Sequence, residues 1–169
     1  MKKYLLLAVC SLLIASVGIT AETTPATVQP KEKNMSPPSL SLGYVVLYVK
    51  DVSATLTFYE AAFGVSRRFY NDDHGKAYGE LETGAARLAF YSFELAKAQV
   101  KEFAAASPGQ PPLGVEIALI TADVPALYAR ALKAGATSVS EPAAKPWGQT
   151  VACVRDNSGY LVELGTPMP

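Results

Sequence analysis

The chain has 169 residues, enough for one domain with a sizeable core. Fifteen basic residues balance fifteen acidic ones to a formal net charge of zero, while half of all residues are hydrophobic. No basic face is expected from such a balance, so nucleic acid is not an expected partner.

Lys2 and Lys3 precede an apolar run from Tyr4 to Val17 and the small residues Ser16, Gly18, Thr20 and Ala21. This is the tripartite pattern of a secretory signal peptide over 1–21, with cleavage expected after Ala21. The run is short for a bilayer span, so membrane contact is expected through this segment alone. Residues 22–39 carry Pro25, Pro30, Pro37 and Pro38 among Thr, Ser, Lys and Glu. They hold too little apolar surface to offset ordering entropy and read as a disordered tether. The expected destination is the periplasm, whereas initiation at Met35 would yield a cytosolic form. After cleavage Cys153 is the remaining cysteine, which forbids an intrachain disulfide. Its place in a predicted strand suggests a small buried hydrophobe.

The domain, 40–169, opens with a strand of β-branched and aromatic residues ending at Val49. Asp51 caps a helix over Val52–Phe63, whose buried stripe is Val52, Leu56, Tyr59 and Phe63, and Gly64 ends it. Strands are expected at Val65–Tyr70, Lys76–Glu82 and Ala86–Phe93, with turns at Asn71–Gly75 and Thr83-Gly84. An alanine-rich linker helix is expected over Glu94–Ala106, before the breaker Ser107–Pro112. The order then repeats: a strand over Gly114–Thr121, Asp123 as a cap, Pro125 in the first helical turn, Gly135 as a stop, and three strands. The last two are Val151–Val154 and Tyr160–Leu164, joined by the turn Asp156-Asn157-Ser158-Gly159. In the closing strand Val162 and Leu164 share one face, Leu161 and Glu163 the other.

Asp51-Val52 and Asp123-Val124 mark equivalent points 72 residues apart (123 − 51). The halves are therefore read as an internal duplication of a βαβββ unit, an α+β fold. Module one covers about 40–93, the linker 94–112 and module two 113–169.

The steps Tyr44–Asp51 and Gly114–Asp123, with the ending Asp156-Asn157-Ser158-Gly159-Tyr160-Leu161-Val162-Glu163-Leu164, resemble the vicinal oxygen chelate superfamily. That group includes glyoxalase I, extradiol dioxygenases and bleomycin-resistance proteins. The resemblance implies two modules whose mixed sheets form a cup with the helices outside and the site inside. It also implies a homodimer. Its metal-dependent members place ligands on the first and last strand of each module, here Tyr44, Ala89, Glu116 and Glu163. Ala89 offers no donor, and Tyr44, with a phenol that ionises near pH 10, is a poor ligand at neutral pH. His74, the one histidine, falls in a turn and reads as an exposed imidazole. No cofactor and no tightly held metal are expected; a divalent ion is the minority alternative.

Strand alternation places Tyr44, Val46 and Tyr48 inward, with Tyr78, Glu80 and Glu82 on a second strand and Arg87, Ala89 and Tyr91 on a third. Glu116, Ala118, Leu161 and Glu163 join from module two, and Trp147 stands near the mouth. The ligand-binding candidates are thus Tyr44, Tyr48, Tyr78, Glu80, Arg87, Tyr91, Glu116, Trp147 and Glu163. Glu116 and Glu163 are also the candidates for general acid–base work. Alternatively, the same two acids form an ion pair with Arg87 or hold a cationic or hydroxylated ligand. Three readings compete: a metal-free protein that binds a small molecule, a metal-dependent glyoxalase-like lyase or dioxygenase, and an interaction module whose cup is filled by its own side chains.

Overall fold

The computed structural model describes residues 40–169. The expected signal segment and tether, with Cys10 and Met35, lie outside the described residues. The element order is β1 (Tyr44–Val49), α1 (Val52–Phe63), β2 (Arg67–Asp73), β3 (Lys76–Leu81), β4 (Arg87–Ser92), α2 (Phe93–Val100), β5 (Glu116–Ile120), α3 (Val124–Lys133), β6 (Thr137–Ala144), β7 (Thr150–Arg155) and β8 (Leu161–Gly165). The strands form two four-stranded mixed sheets, ordered β1-β4-β3-β2 and β5-β8-β7-β6. In each, the first strand runs parallel to the last and the remaining pairs are antiparallel. The duplicated βαβββ unit is thus present twice, with the same strand order.

α1 forms where its signals place it. Asp51 Oδ1 accepts the Ala54 amide at 2.9 Å, and Gly64 ends the helix at a φ of 74°. Beyond the expected stripe, Thr55, Phe58 and Ala62 are buried too. The wider stripe has a cause: α1 packs both on its own sheet and on α3 of the second module. Asp123 caps α3 in the same way, through the Ala126 amide. The core is continuous across both modules, from Leu47, Val49 and Phe90 to Val154, Val162 and Leu164.

Arg130 of α3 fastens this packing. Its Nε donates to the Ala61 carbonyl at 2.7 Å and its Nη2 to the Glu60 carbonyl at 3.0 Å, at the negative end of α1. Arg130→Leu is expected to lower stability by about 1–3 kcal/mol, read by urea unfolding; an unchanged midpoint would show that water satisfies those carbonyls.

Three expectations are corrected. The linker helix stops at Val100, not Ala106, because Lys101 takes a left-handed φ of 55° and releases Phe103 to pack on Tyr48. The turn after β2 is tighter than expected. Strand pairing runs through Asp73↔Lys76, and His74 and Gly75 alone turn the chain, both at positive φ. Val45, which strand alternation puts on the helix side with Leu47 and Val49, is instead exposed at the start of an edge strand.

Candidate functional site

The helix-free face of the first sheet is built by alternation. Leu47, Val49, Ala77, Leu81, Leu88 and Phe90 point to the core, which leaves Tyr48, Tyr78, Glu80, Arg87 and Tyr91 half-buried on the other side, with Tyr44 exposed. Register sets the neighbours: Tyr78 pairs with Tyr91, Tyr48 with Tyr91, and Tyr44 with Arg87. The rings form a series across the sheet. Phe69 to Tyr78 is 6.0 Å between centroids, Tyr78 to Tyr91 5.4 Å, Tyr91 to Tyr48 6.0 Å with nearly parallel planes, and Tyr48 to Phe103 4.9 Å edge-on.

A polar cluster flanks the rings. Arg68 Nε donates to Glu80 Oε2 at 3.1 Å and its Nη1 to Glu82 Oε2 at 3.2 Å, while the Tyr78 hydroxyl donates to Glu80 Oε1. Burial, then the Glu80 carboxylate, push the Tyr78 phenol well above its usual range, so it stays protonated and donating. Arg87 Nε lies 3.8 Å from Glu80 Oε2. This corrects one reading: Arg87 neighbours Glu80 of its own sheet and forms no ion pair with Glu116 or Glu163.

On the second sheet, Glu116, Cys153 and Glu163 converge from β5, β7 and β8, one donor atom of each within 4.8 Å of the others. Cys153 is directly opposite Glu163, and Glu163 is opposite Ala118, two residues along β5 from Glu116. The expectation that Cys153 is a buried hydrophobe is corrected: it is half-buried on the helix-free face beside the two acids. No sequence signal announced this, because Cys153 matches no family ligand position. Of the four family positions, Ala89 is buried and donorless, Tyr44 is on the other sheet, and only Glu116 and Glu163 meet. The residues therefore do not fit the family's metal set. His74 is fully exposed, as expected of a turn residue.

Trp147 is exposed in the β6–β7 turn, its Nε1 donating to Gln149 Oε1 at 2.8 Å. The structure thus gathers the candidates into two groups, one per sheet. A cavity of about 390 Å³ that sequence reasoning did not identify lies among Lys50, Thr55, Phe93, Ser107, Asn157 and Ser158.

Two further residues were missed. Tyr160, just before β8, donates its hydroxyl to the Tyr48 carbonyl at 2.8 Å and accepts the Tyr48 amide at 3.1 Å. It thereby satisfies backbone groups on the free edge of β1 and holds Tyr48 in place from the other module. Asp156, in the turn before it, accepts the Tyr59 hydroxyl of α1 at 3.0 Å.

A family model described as Glyoxalase/Bleomycin resistance protein/Dioxygenase superfamily matches residues 41–164. Among solved structures, the chain is similar to a glyoxalase-related enzyme from Fulvimarina pelagi, with 21% identity and a TM-score of 0.63 over 75% of this chain and 88% of that one. It is also similar to a glyoxalase/bleomycin resistance protein/dioxygenase family enzyme from Burkholderia phytofirmans PsJN, with 21% identity and a TM-score of 0.60 over 75% and 98%. A third similar structure is TioX from Micromonospora sp. ML1, with 22% identity and a TM-score of 0.57 over 75% and 98%. No curated protein matches the chain. At these identities the structural likeness speaks for the fold, and the family model speaks for descent: with its duplicated βαβββ modules, the chain belongs to the glyoxalase/bleomycin resistance protein/dioxygenase superfamily.

Proposed function

We propose that this is an exported protein that binds a small molecule on the open face of its first sheet and needs no catalytic metal to do so. The observation that carries the reading is the ring series Phe69–Tyr78–Tyr91–Tyr48, open on one side and flanked by Glu80 and Arg87. Aromatic faces beside a few fixed polar groups suit a flat ligand bearing a cation or hydroxyls. A filled cup fits less well, because Tyr44 and Phe69 are about half exposed. The metal-dependent lyase or dioxygenase reading rests on Glu116 and Glu163 alone, with no donor at Ala89. A homodimer forms part of the proposal, since β5 ends its sheet as an edge strand able to meet a second copy.

The test is fluorescence anisotropy of proflavine, a planar cationic dye, titrated with the purified full chain. Saturable binding is expected, weakened about tenfold by Tyr91→Ala and unchanged by Glu163→Gln. Binding indifferent to Tyr91→Ala would place the ligand elsewhere, and no binding of this dye or of related flat cations would remove the reading. Export is tested separately: periplasmic fractionation should recover a chain shortened near Ala21.

A further inference from the structure

We propose that residues 101–106 are a hinged strap whose Phe103 side chain occupies one end of the ring series and must leave it before a ligand stacks there. The inference rests on the ligand-binding reading and adds the regulation of that site: an intrachain contact that competes with the ligand for Tyr48.

The strap hangs between two fixed points. At one end α2 stops at Val100, and Lys101 has a φ of 55° and a ψ of −60°. The Glu102 amide donates back to the Val100 carbonyl at 2.5 Å, which closes a three-residue turn around Lys101. This is the γ-turn of positive φ, rare and strained for a residue with a side chain. At the other end Arg155 of β7 donates to the carbonyls of Ser107 and Gln110, each at 2.8 Å, and Ala106 packs against the core. Between these points, among the described residues, no backbone–backbone hydrogen bond engages 103–106.

One side chain fastens the middle. Phe103 is half-buried, whereas Glu102, Ala104 and Ala105 are exposed. Its ring meets Tyr48 edge-on at 4.9 Å and Phe93 at 5.5 Å. Tyr48 lies beside Tyr91 at 6.0 Å with nearly parallel planes, so the two offer neighbouring surfaces to a flat ligand. A phenyl ring this close to Tyr48 excludes a ligand ring from the same side.

The strain gives the motion its direction. Lys101 stays in a costly conformation because the Phe103 packing offsets it, and the turn relaxes once Phe103 leaves Tyr48. Space is present for the move. A cavity of about 390 Å³ borders Phe93, Ala105 and Ala106, and one of about 450 Å³ borders Lys97, Phe103 and Ala105. A segment with one anchoring side chain and no backbone bonds opens locally at low cost. Apparent affinity for the ligand is then reduced by the share of chains whose strap is closed.

The test again uses proflavine anisotropy with the purified full chain, and Tyr91→Ala reports whether the dye sits on the rings. Phe103→Ala should tighten binding by about fivefold, although it removes aromatic surface from the edge of the site. Phe103→Leu keeps most of the packing volume, serves if alanine unfolds the chain, and should tighten binding by about twofold. Lys101→Gly adopts the turn without strain, holds the strap closed, and should bind at least about threefold more weakly than Lys101→Ala, which loses the same charge. Hydrogen exchange of the 102–106 amides should be faster with dye bound, and slower in dye-free Lys101→Gly than in wild type. Circular dichroism verifies that each variant is folded. Unchanged or weaker binding in the Phe103 variants, with Tyr91→Ala still weakening the dye, would overturn the strap and leave the ring site standing. Dye bound by Phe103→Ala but not by wild type would support it. If no form binds the dye or related flat cations, the ring-site reading fails, and equal exchange in Lys101→Gly and wild type would then overturn the hinge as well.

Discussion

Asp156→Ala is expected to destabilise the domain by roughly 3–5 kcal/mol, a large share of the stability of a domain this size. Asp156 is 2% exposed and holds three donors at once. Its Oδ2 accepts the Tyr59 hydroxyl at 3.0 Å, and its Oδ1 accepts the amides of Ser158 at 2.9 Å and Tyr160 at 2.7 Å. Alanine leaves all three unmatched, and the Tyr59 hydroxyl is fully enclosed. It also frees the turn from α1, since this contact ties the two modules together. Asp156→Asn should cost about 1 kcal/mol, because the amide oxygen keeps both backbone donors and the amide group can donate to Tyr59 Oη.

The pair of variants also separates charge from shape. Burial pushes the Asp156 carboxyl above its usual 3.8, although bonds from Tyr160, Tyr59 and Ser158 pull the other way. A carboxyl with a raised folded-state pKa binds its proton more tightly when folded than when unfolded. Its contribution is fully present below the unfolded value and is lost as pH rises through the folded one. Wild-type stability should therefore fall relative to Asp156→Asn as pH rises from about 4, with the difference levelling off above the shifted value. Denaturant midpoints for the two proteins at several pH values give the answer. Parallel curves would show that the carboxyl titrates as it does in the unfolded chain.

Gly159→Ala is expected to cost roughly 3 kcal/mol and to lower the melting temperature by about 10 °C, from two causes acting together. The residue has a φ of +93°, a region that side chains rarely enter. A Cβ there would stand 2.3 Å from the Ser107 carbonyl carbon and 2.7 Å from Pro108 N. These are backbone atoms, so no rotamer change relieves the clash. The segment 107–110 would have to move, and with it the carbonyls of Ser107 and Gln110 that Arg155 holds at 2.8 Å. Gly84, in the corresponding turn of the first module, has a similar φ of +96° and nothing within 4 Å of the same Cβ. Gly84→Ala should therefore cost only the backbone strain, about 1–2 kcal/mol. Thermal unfolding of the two variants side by side is the measurement. Equal losses would mean that the linker yields easily and that packing against it contributes little.

The sequence and the structure agree where the deciding physics is local. Asp51 and Gly64 bound α1 because a side-chain oxygen three residues before an amide, and a glycine at positive φ, act on their own neighbours. The alternation Leu161-Val162-Glu163-Leu164 sorted core from open face because strand side chains have a period of two. The repeated Asp-Val steps 72 residues apart disclosed the duplication. The linker shows where local reasoning stops: alanine content favours helix through Ala106, but Phe103 gains more by packing on Tyr48 and Phe93.

What the sequence by itself determined is the duplicated βαβββ architecture, both bounds of the first helix, and which face of each strand carries aromatic and acidic residues. Only the tertiary structure decided the partners. It put Arg68 and Arg87 on Glu80, left Glu116 and Glu163 together, placed Cys153 between strands that bring it to them, and set Tyr59 and Tyr160 across from one module to the other. The reason is separation along the chain: the residues of these pairs lie up to 112 positions apart, and no local propensity encodes which distant strand will lie beside which. Register and helix packing choose the neighbours, and so choose the chemistry each face offers.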